Sequence, residues 1–149
     1  MAVPRTCALV TTLVLSAACM PAPQPIPWPI DPDAVDDPAR MVIDPRTASP
    51  GEVIEIRFPA GGDRGILFAL DEREDATWER RAYLLSDANG GNPAAYDIDD
   101  DDMMVEMVGI SGPGPDRVIL PDISAAGDYR ICTASAVENV CARIKIEGR

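Results

Sequence analysis

Residues 127–146 read GDYRICTASAVENVCARIKI, and this stretch decides the fold. Two runs rich in apolar residues flank a short connection, which is the pattern of two antiparallel strands joined as a hairpin. If residues 135–138 form a four-residue connection, Cys132 lies directly opposite Cys141. Opposed residues of an antiparallel pair have Cα atoms about 4.5–5.5 Å apart, within the range that a disulfide spans. The sequence therefore predicts a cross-strand disulfide in a C-terminal hairpin.

Upstream of this hairpin, short β-like runs alternate with turn residues. The predicted strands cover 41–43, 53–58, 65–70, 78–85, 103–110, 117–120, 128–133 and 139–146. The apolar run 65–70 is expected to be central, and 71–77 is expected to be a loop, although a helix over 71–87 is an alternative. Many short strands separated by turn signals are typical of an all-β sandwich or barrel. We therefore expect a single antiparallel β-sandwich of about seven strands.

The entry to the last hairpin, Gly127-Asp128-Tyr129, resembles the entry to the penultimate strand of immunoglobulin-like sandwiches. In that family a Tyr hydroxyl bonds back to the preceding corner of the chain. In antibody domains the Tyr stands two residues before Cys, whereas Tyr129 stands three before Cys132, and both cysteines lie in one hairpin. The chain therefore looks like a bacterial immunoglobulin-like domain. The resemblance implies a fold and no particular activity, because this architecture hosts many functions.

The N-terminus has the organisation of an export signal. Arg5 supplies a positive charge, and residues 7–18 form an apolar run of signal-peptide length that is too short to span a membrane. Leu15-Ser16-Ala17-Ala18-Cys19 resembles the lipobox of bacterial lipoproteins, except that Ser16 stands where Leu is usual. The same bond also suits an ordinary signal peptidase. We expect residues 1–18 to be removed and Cys19 to be lipidated, which places the protein on the extracytoplasmic face of the cell membrane.

The remaining chain divides into a tether and a body. Residues 19–39 are rich in proline, which blocks helix and sheet alike, so a disordered linker is expected there. Residues 40–149 form the predicted domain. The chain has four cysteines. Because Cys7 would leave with the signal and Cys19 would carry lipid, one even pair remains for an oxidising compartment.

The chain carries a formal charge of −12 and no histidine. An acidic surface repels nucleic acid, so no nucleic-acid partner is expected. Without histidine, Ser-His-Asp and Cys-His arrangements are excluded. The acidic run 97–102 raises a calcium hypothesis, with Asp97, Asp99 and Asp101 as possible ligands. A calcium loop of the EF-hand type starting there would need Gly at its sixth position, which is Asp102, so a solvated acidic loop is favoured over a metal site.

These observations predict a non-catalytic binding or structural role at the cell envelope, without a cofactor. The expected partners are the membrane, through the lipid anchor, and an unidentified envelope protein or glycan; the chain itself is expected to be monomeric. Candidate binding surfaces are the hairpin tip and the loops 89–92 and 97–102. The tip comprises Ser135, Ala136, Val137 and Glu138. The alternatives are a calcium-binding surface domain and a hydrolase that uses two carboxylates.

Overall fold

The computed structural model describes residues 36–59, 64–65, 67–98, 110–111, 115–122, 125–134 and 140–148. This part of the chain consists of β-strands and contains no α-helix. The strands are β1 (Val42–Asp44), β2 (Thr47–Ala48), β3 (Val53–Arg57), β4 (Arg64–Gly65), β5 (Leu67–Glu74), β6 (Thr77–Leu85), β7 (Ala94–Asp97), β8 (Ile110–Ser111), β9 (Asp116–Ile119), β10 (Gly127–Thr133) and β11 (Cys141–Ile146). One 3-10 turn, Asp87–Asn89, follows β6.

Two sheets share one hydrophobic core. The larger sheet has the order β2-β11-β10-β5-β6-β7, the smaller has the order β1-β3-β9, and β4 and β8 form a separate pair. All pairings are antiparallel except that of β2 with β11, which is parallel. The core between the sheets is built from alternate residues of each strand, among them Ile54 and Ile56 of the smaller sheet and Leu70, Ile131 and Ile144 of the larger. Alternation of this kind buries one face of each strand, as expected in an all-β sandwich.

The predicted C-terminal hairpin is confirmed in its register. Cys132 lies opposite Cys141 across β10 and β11, and the two form a disulfide. Beyond this pair the Thr133 N–H donates to the Val140 carbonyl at 2.9 Å. The predicted central strand is also confirmed, because β5 lies between β10 and β6 and is buried on both faces from Leu67 to Asp71.

The predicted loop over 71–77 is wrong, and the region is not helical either. Strand β5 continues to Glu74, β6 begins at Thr77, and Asp75 adopts a positive φ of 52° in the two-residue turn between them. Tight hairpin turns favour such left-handed residues. The charged sequence concealed the strands because the outer halves of β5 and β6 carry charged side chains on both faces, so the apolar pattern stops while the strands continue.

The β5–β6 hairpin contains a bulge. Leu70 pairs with Ala82, but the next residue, Asp71, pairs with Arg80, so Arg81 is an extra residue on β6. Arg81 turns to Glu72, whose carboxylate accepts from its Nε at 2.7 Å. A bulge leaves one residue of the strand without a partner, so the residues on its two sides keep regular partners on the neighbouring strand. Beyond the bulge, Arg80 therefore lies on the same side of the sheet as Asp71.

Other segments differ from the sequence expectations. Strands β2 and β7 lie at the two edges of the larger sheet and were not predicted, because both are short and carry little apolar pattern. Most of the predicted strand 103–110 lies outside the described residues. The body also extends into the predicted linker: Asp37 N–H donates to the Cys141 carbonyl at 3.2 Å, and Asp36 Oδ1 accepts from the Arg143 N–H at 3.2 Å.

Tyr129 makes the bond that the immunoglobulin-like resemblance implied. Its ring is buried at 1% exposure, and its hydroxyl donates to the Ala125 carbonyl at 3.2 Å. Burial, together with the nearby Glu72 carboxylate, raises the pKa of Tyr129 to about 12. Tyr129 thus fixes the corner through which the chain enters β10.

This arrangement makes the stability of the domain sensitive to alkaline pH. The folded-state pKa of Tyr129 lies above the usual tyrosine value of 10.0, so its contribution to stability is complete below pH 10.0 and is lost as the pH rises towards about 12. For Tyr129→Phe we expect a loss of about 1 kcal/mol at pH 7 from the missing hydrogen bond. The gap between variant and wild type narrows above pH 10.0. Urea denaturation from pH 7 to 12 gives the free energy of unfolding of both proteins as a function of pH. A difference that stays constant over this range would contradict the role given to the Tyr129 hydroxyl.

Candidate functional site

The larger sheet is buried on both faces over part of its area. We call the face turned away from the smaller sheet the outer face. A second apolar cluster lies there, formed by Leu67, Ala69, Tyr83, Leu85 and Ala134. The disulfide lies beside this cluster, with Cys132 opposite Ala69. Part of the outer face is therefore buried in a second apolar cluster.

Next to this cluster, the outer face carries a row of charged side chains across four strands. Arg143 of β11 lies opposite Arg130 of β10, Arg130 opposite Asp71 of β5, and Asp71 opposite Arg80 of β6. Asp71 is fully buried and accepts from Arg80 Nε at 2.9 Å and from Arg130 Nε at 3.2 Å. We call Asp71, Arg80 and Arg130 the buried ion network. Its single carboxylate holds two guanidinium groups out of water.

Aromatic rings line the buried ion network. The Arg130 guanidinium lies 4.5 Å from the centroid of Trp78, and that of Arg80 lies 5.3 Å from the centroid of Tyr83. Burial by itself would lower the pKa of Arg80, but hydrogen bonds to Asp71 and Tyr83 outweigh it and raise that pKa above its usual value. The Arg80 guanidinium therefore stays charged, and cation–π contacts fix the positions of Arg80 and Arg130.

A cleft lies beside this network, and four of its eight lining residues are cations. Its volume is about 240 Å³, and its lining includes Arg46, Arg73, Trp78, Asp128, Arg143 and Lys145. We call these six residues the basic groove. Lys145 lies opposite Asp128 across β11 and β10, and Arg73 lies opposite Trp78 across β5 and β6. The groove therefore crosses the face of the sheet, and its residues come from distant parts of the sequence.

The cations of the basic groove differ in their partners. Arg46 forms an ion pair with Asp36 at 3.2 Å. Arg73 lies 6.0 Å from the Trp78 centroid. Within the described part of the chain, neither Arg73, Arg143 nor Lys145 is ion-paired with a carboxylate, and all three are exposed. These three cations are available to an anion from solution.

Most residues singled out from the sequence lie elsewhere. Cys19, Asp99, Asp101 and the hairpin tip (Ser135, Ala136, Val137 and Glu138) lie outside the described residues. Asp97 ends β7 and is exposed. Among the residues that are described, no group of three potential metal ligands is found. The loop 89–92 follows a 3-10 turn whose Asp87 carboxylate accepts from the Arg117 backbone N–H at 2.9 Å and from its side chain, so this loop is tied to β9.

The basic groove was not predicted from the sequence. The one local signal was the C-terminal strand, where Arg143 and Lys145 alternate with buried Ile144 and Ile146 and so share its outer face. That alternation indicates a cationic strand face, although nothing in it points to Arg73 or Trp78. Their convergence depends on how the strands pair.

No family model matches the chain, and no curated protein or solved structure is significantly similar to it. Nor do the described residues include a helix with the length and apolar character needed to cross a bilayer.

Proposed function

We propose that this protein is an exported, lipid-anchored binding domain of the cell envelope that carries no catalytic activity. The observation that carries the proposal is the disulfide between Cys132 and Cys141. Disulfides persist in oxidising compartments and are rare in the cytosol of most cells. This agrees with the export signal of residues 1–18 and with a lipid on Cys19, the cysteine that such a signal places at the mature N-terminus.

We further propose that the body is an immunoglobulin-like sandwich. In constant-type domains the first, second and fifth strands lie in one sheet, and the third, sixth and seventh in the other. Strands β1, β3 and β9 of the smaller sheet correspond to the first group, and β5, β10 and β11 of the larger sheet to the second. Strand β6, beside β5, takes the position of the added strand of variable-type domains. The Tyr129 corner supports the same assignment.

Binding is favoured over hydrolysis by the composition of the basic groove. A hydrolase that uses two carboxylates needs a convergent pair of acids, one to donate a proton and one to act as base or nucleophile. The groove contains one carboxylate, Asp128, among four cations. Such a lining suits the recognition of an anion rather than acid–base chemistry.

The anchor is tested by labelling with a fatty acid. When the full chain is expressed in a bacterium that is fed labelled palmitate, we expect label on the protein and recovery of the protein in the membrane fraction. Cys19→Ser removes the acceptor thiol, so the label is lost. Cys7→Ser is the matched control and keeps the label, because Cys7 would leave with the signal. A processed but unlabelled wild-type protein would contradict the anchor and leave simple secretion; an unprocessed protein in the cytosol would overturn export itself.

A further inference from the structure

We propose that the basic groove binds a phosphate group carried by a component of the cell envelope, either a saccharide or a lipid headgroup. The inference deepens the proposed binding function and rests on it for one point, that the ligand belongs to the cell envelope. The arrangement of cations in the groove is the same wherever the protein resides.

The first argument is the distribution of charge. The chain has 13 basic and 25 acidic residues, yet of the residues that the structure describes four basic ones and one acidic one line this cleft. Like charges that converge repel one another unless a counter-charge lies between them. Arg46 is ion-paired with Asp36, but Arg73, Arg143 and Lys145 form no ion pair with a described carboxylate, and Asp128 supplies one negative charge for the three of them. A bound anion would supply the remaining counter-charge.

The second argument is the chemistry of the donors. Two guanidinium groups present planar pairs of N–H donors, and the Lys145 ammonium adds a compact point charge. Guanidinium forks bind phosphate and carboxylate in a bidentate manner. Three positive charges exceed what one carboxylate can neutralise, whereas a phosphate monoester carries up to two negative charges near neutral pH. The set therefore favours phosphate.

The third argument is the rigidity of one wall. The Arg73 guanidinium lies over Trp78, and Trp78 is in turn covered by Arg130, which Asp71 holds. Side chains that are fixed before binding lose less conformational entropy when the ligand arrives. The buried ion network thus acts as the support of the groove, and Arg130 is a positioning residue.

The fourth argument concerns the size and location of the cleft. A volume of about 240 Å³ accommodates one oxyanion and the group that carries it, but it is smaller than the roughly 300–1,000 Å³ typical of sites for drug-sized ligands. The groove lies on the face of the sheet, where β11, β10 and β5 are each paired on both sides. A peptide cannot add there as an extra strand. Long nucleic acids are disfavoured because the net charge is −12.

The test uses the full chain in a non-ionic detergent, with Trp28→Phe introduced. Because the chain has two tryptophans, this leaves Trp78 as the single indole reporter. Inorganic phosphate, glycerol phosphate, acetate and chloride are each titrated at constant ionic strength. Binding is followed by the fluorescence of Trp78 and, independently, by calorimetry. We expect saturable binding of both phosphates with little response to acetate or chloride. An equal response to all four anions would overturn phosphate recognition.

Substitutions identify the groove as the location of binding. Arg143→Gln and Lys145→Gln each are expected to weaken phosphate binding about tenfold. Arg57→Gln removes the same charge from the smaller sheet, where Arg57 pairs with Asp44 and Glu55, and is expected to change binding less than about twofold. Asp128→Asn removes the one groove carboxylate and is expected to strengthen binding. Equal losses in Arg143→Gln and Arg57→Gln would show general charge attraction and overturn the site.

The two sources of phosphate are separated with vesicles. Vesicles of phosphatidylcholine with a quarter phosphatidic acid present a phosphate monoester at the membrane surface. Binding to these vesicles that is weakened by Arg143→Gln and by free glycerol phosphate would identify a lipid headgroup. Binding of glycerol phosphate without vesicle binding would identify a soluble or saccharide phosphate. Vesicle binding that free phosphate does not inhibit would overturn the proposal. The outcome does not depend on Cys19, so a failed palmitate experiment would remove the anchor and leave the phosphate result intact.

Discussion

Asp71→Ala is expected to destabilise the domain by about 3–5 kcal/mol, a large part of the roughly 5–15 kcal/mol typical of a folded domain. Asp71 is fully buried and accepts hydrogen bonds from Arg80 and Arg130. Without its carboxylate, two guanidinium groups remain out of water beside aromatic rings. The cost arises mainly from these uncompensated buried charges, since a buried ion pair contributes little net stability when compared with apolar residues of the same shape.

Urea denaturation of the full chain, followed by circular dichroism, measures this loss. Asp71→Asn retains one acceptor oxygen but no charge, and we expect an intermediate loss. Glu74→Ala is the control, because Glu74 lies on the same strand as Asp71 and is an exposed partner of Arg81 on β6. Such surface pairs contribute about 0–1 kcal/mol. A loss in Asp71→Ala as small as that in Glu74→Ala would show that water reaches the buried ion network.

Reduction of the Cys132–Cys141 disulfide is expected to cost about 2.5–3 kcal/mol. The bond joins residues nine positions apart, and in the chain-entropy model a closed loop of about ten residues loses this much freedom in the unfolded state. With an ordinary dependence on urea, the midpoint falls by about 1–2 M. Because reduction, unlike a substitution, leaves the side-chain volumes unchanged, the fall in the urea midpoint measures the effect of the cross-link alone.

The double variant Cys132→Ala with Cys141→Ala is the control for this experiment. Its unfolding midpoint is expected not to change with reductant. A wild-type midpoint that also ignores reductant would mean that the bond is absent from the purified protein. Thiol titration of the denatured chain then gives a direct count of free cysteines.

The sequence was most informative where structure is local. The register of the last hairpin follows from a short connection and from two cysteines that must face each other, and both features lie within residues 127–146. The central position of β5 follows from an apolar run that leaves neither face for solvent. Both the register of the hairpin and the burial of β5 thus depend on residues that are close together in the sequence.

The sequence was least informative where the outcome depends on distant pairing. In the β5–β6 hairpin, charged residues occupy both faces because it extends beyond the core, so the alternation that identifies a strand stops at Asp71. The basic groove combines Arg73 with Lys145, which meet through the pairing of β5, β10 and β11. Neither the order of the strands nor the extra residue Arg81 can be read from a local pattern.

The bulge at Arg81 gives β6 one position at which its length can change over evolutionary time. Deleting that one codon would place Arg80 next to Ala82 and still opposite Asp71, so Arg80 and Trp78 would keep their direction, because consecutive strand residues point to opposite sides. The deletion would remove the contact of Arg81 with Glu72 and leave the support of the outer face in place. Homologous chains are thus expected to lose this residue more readily than the residues of β6 that pair with β5.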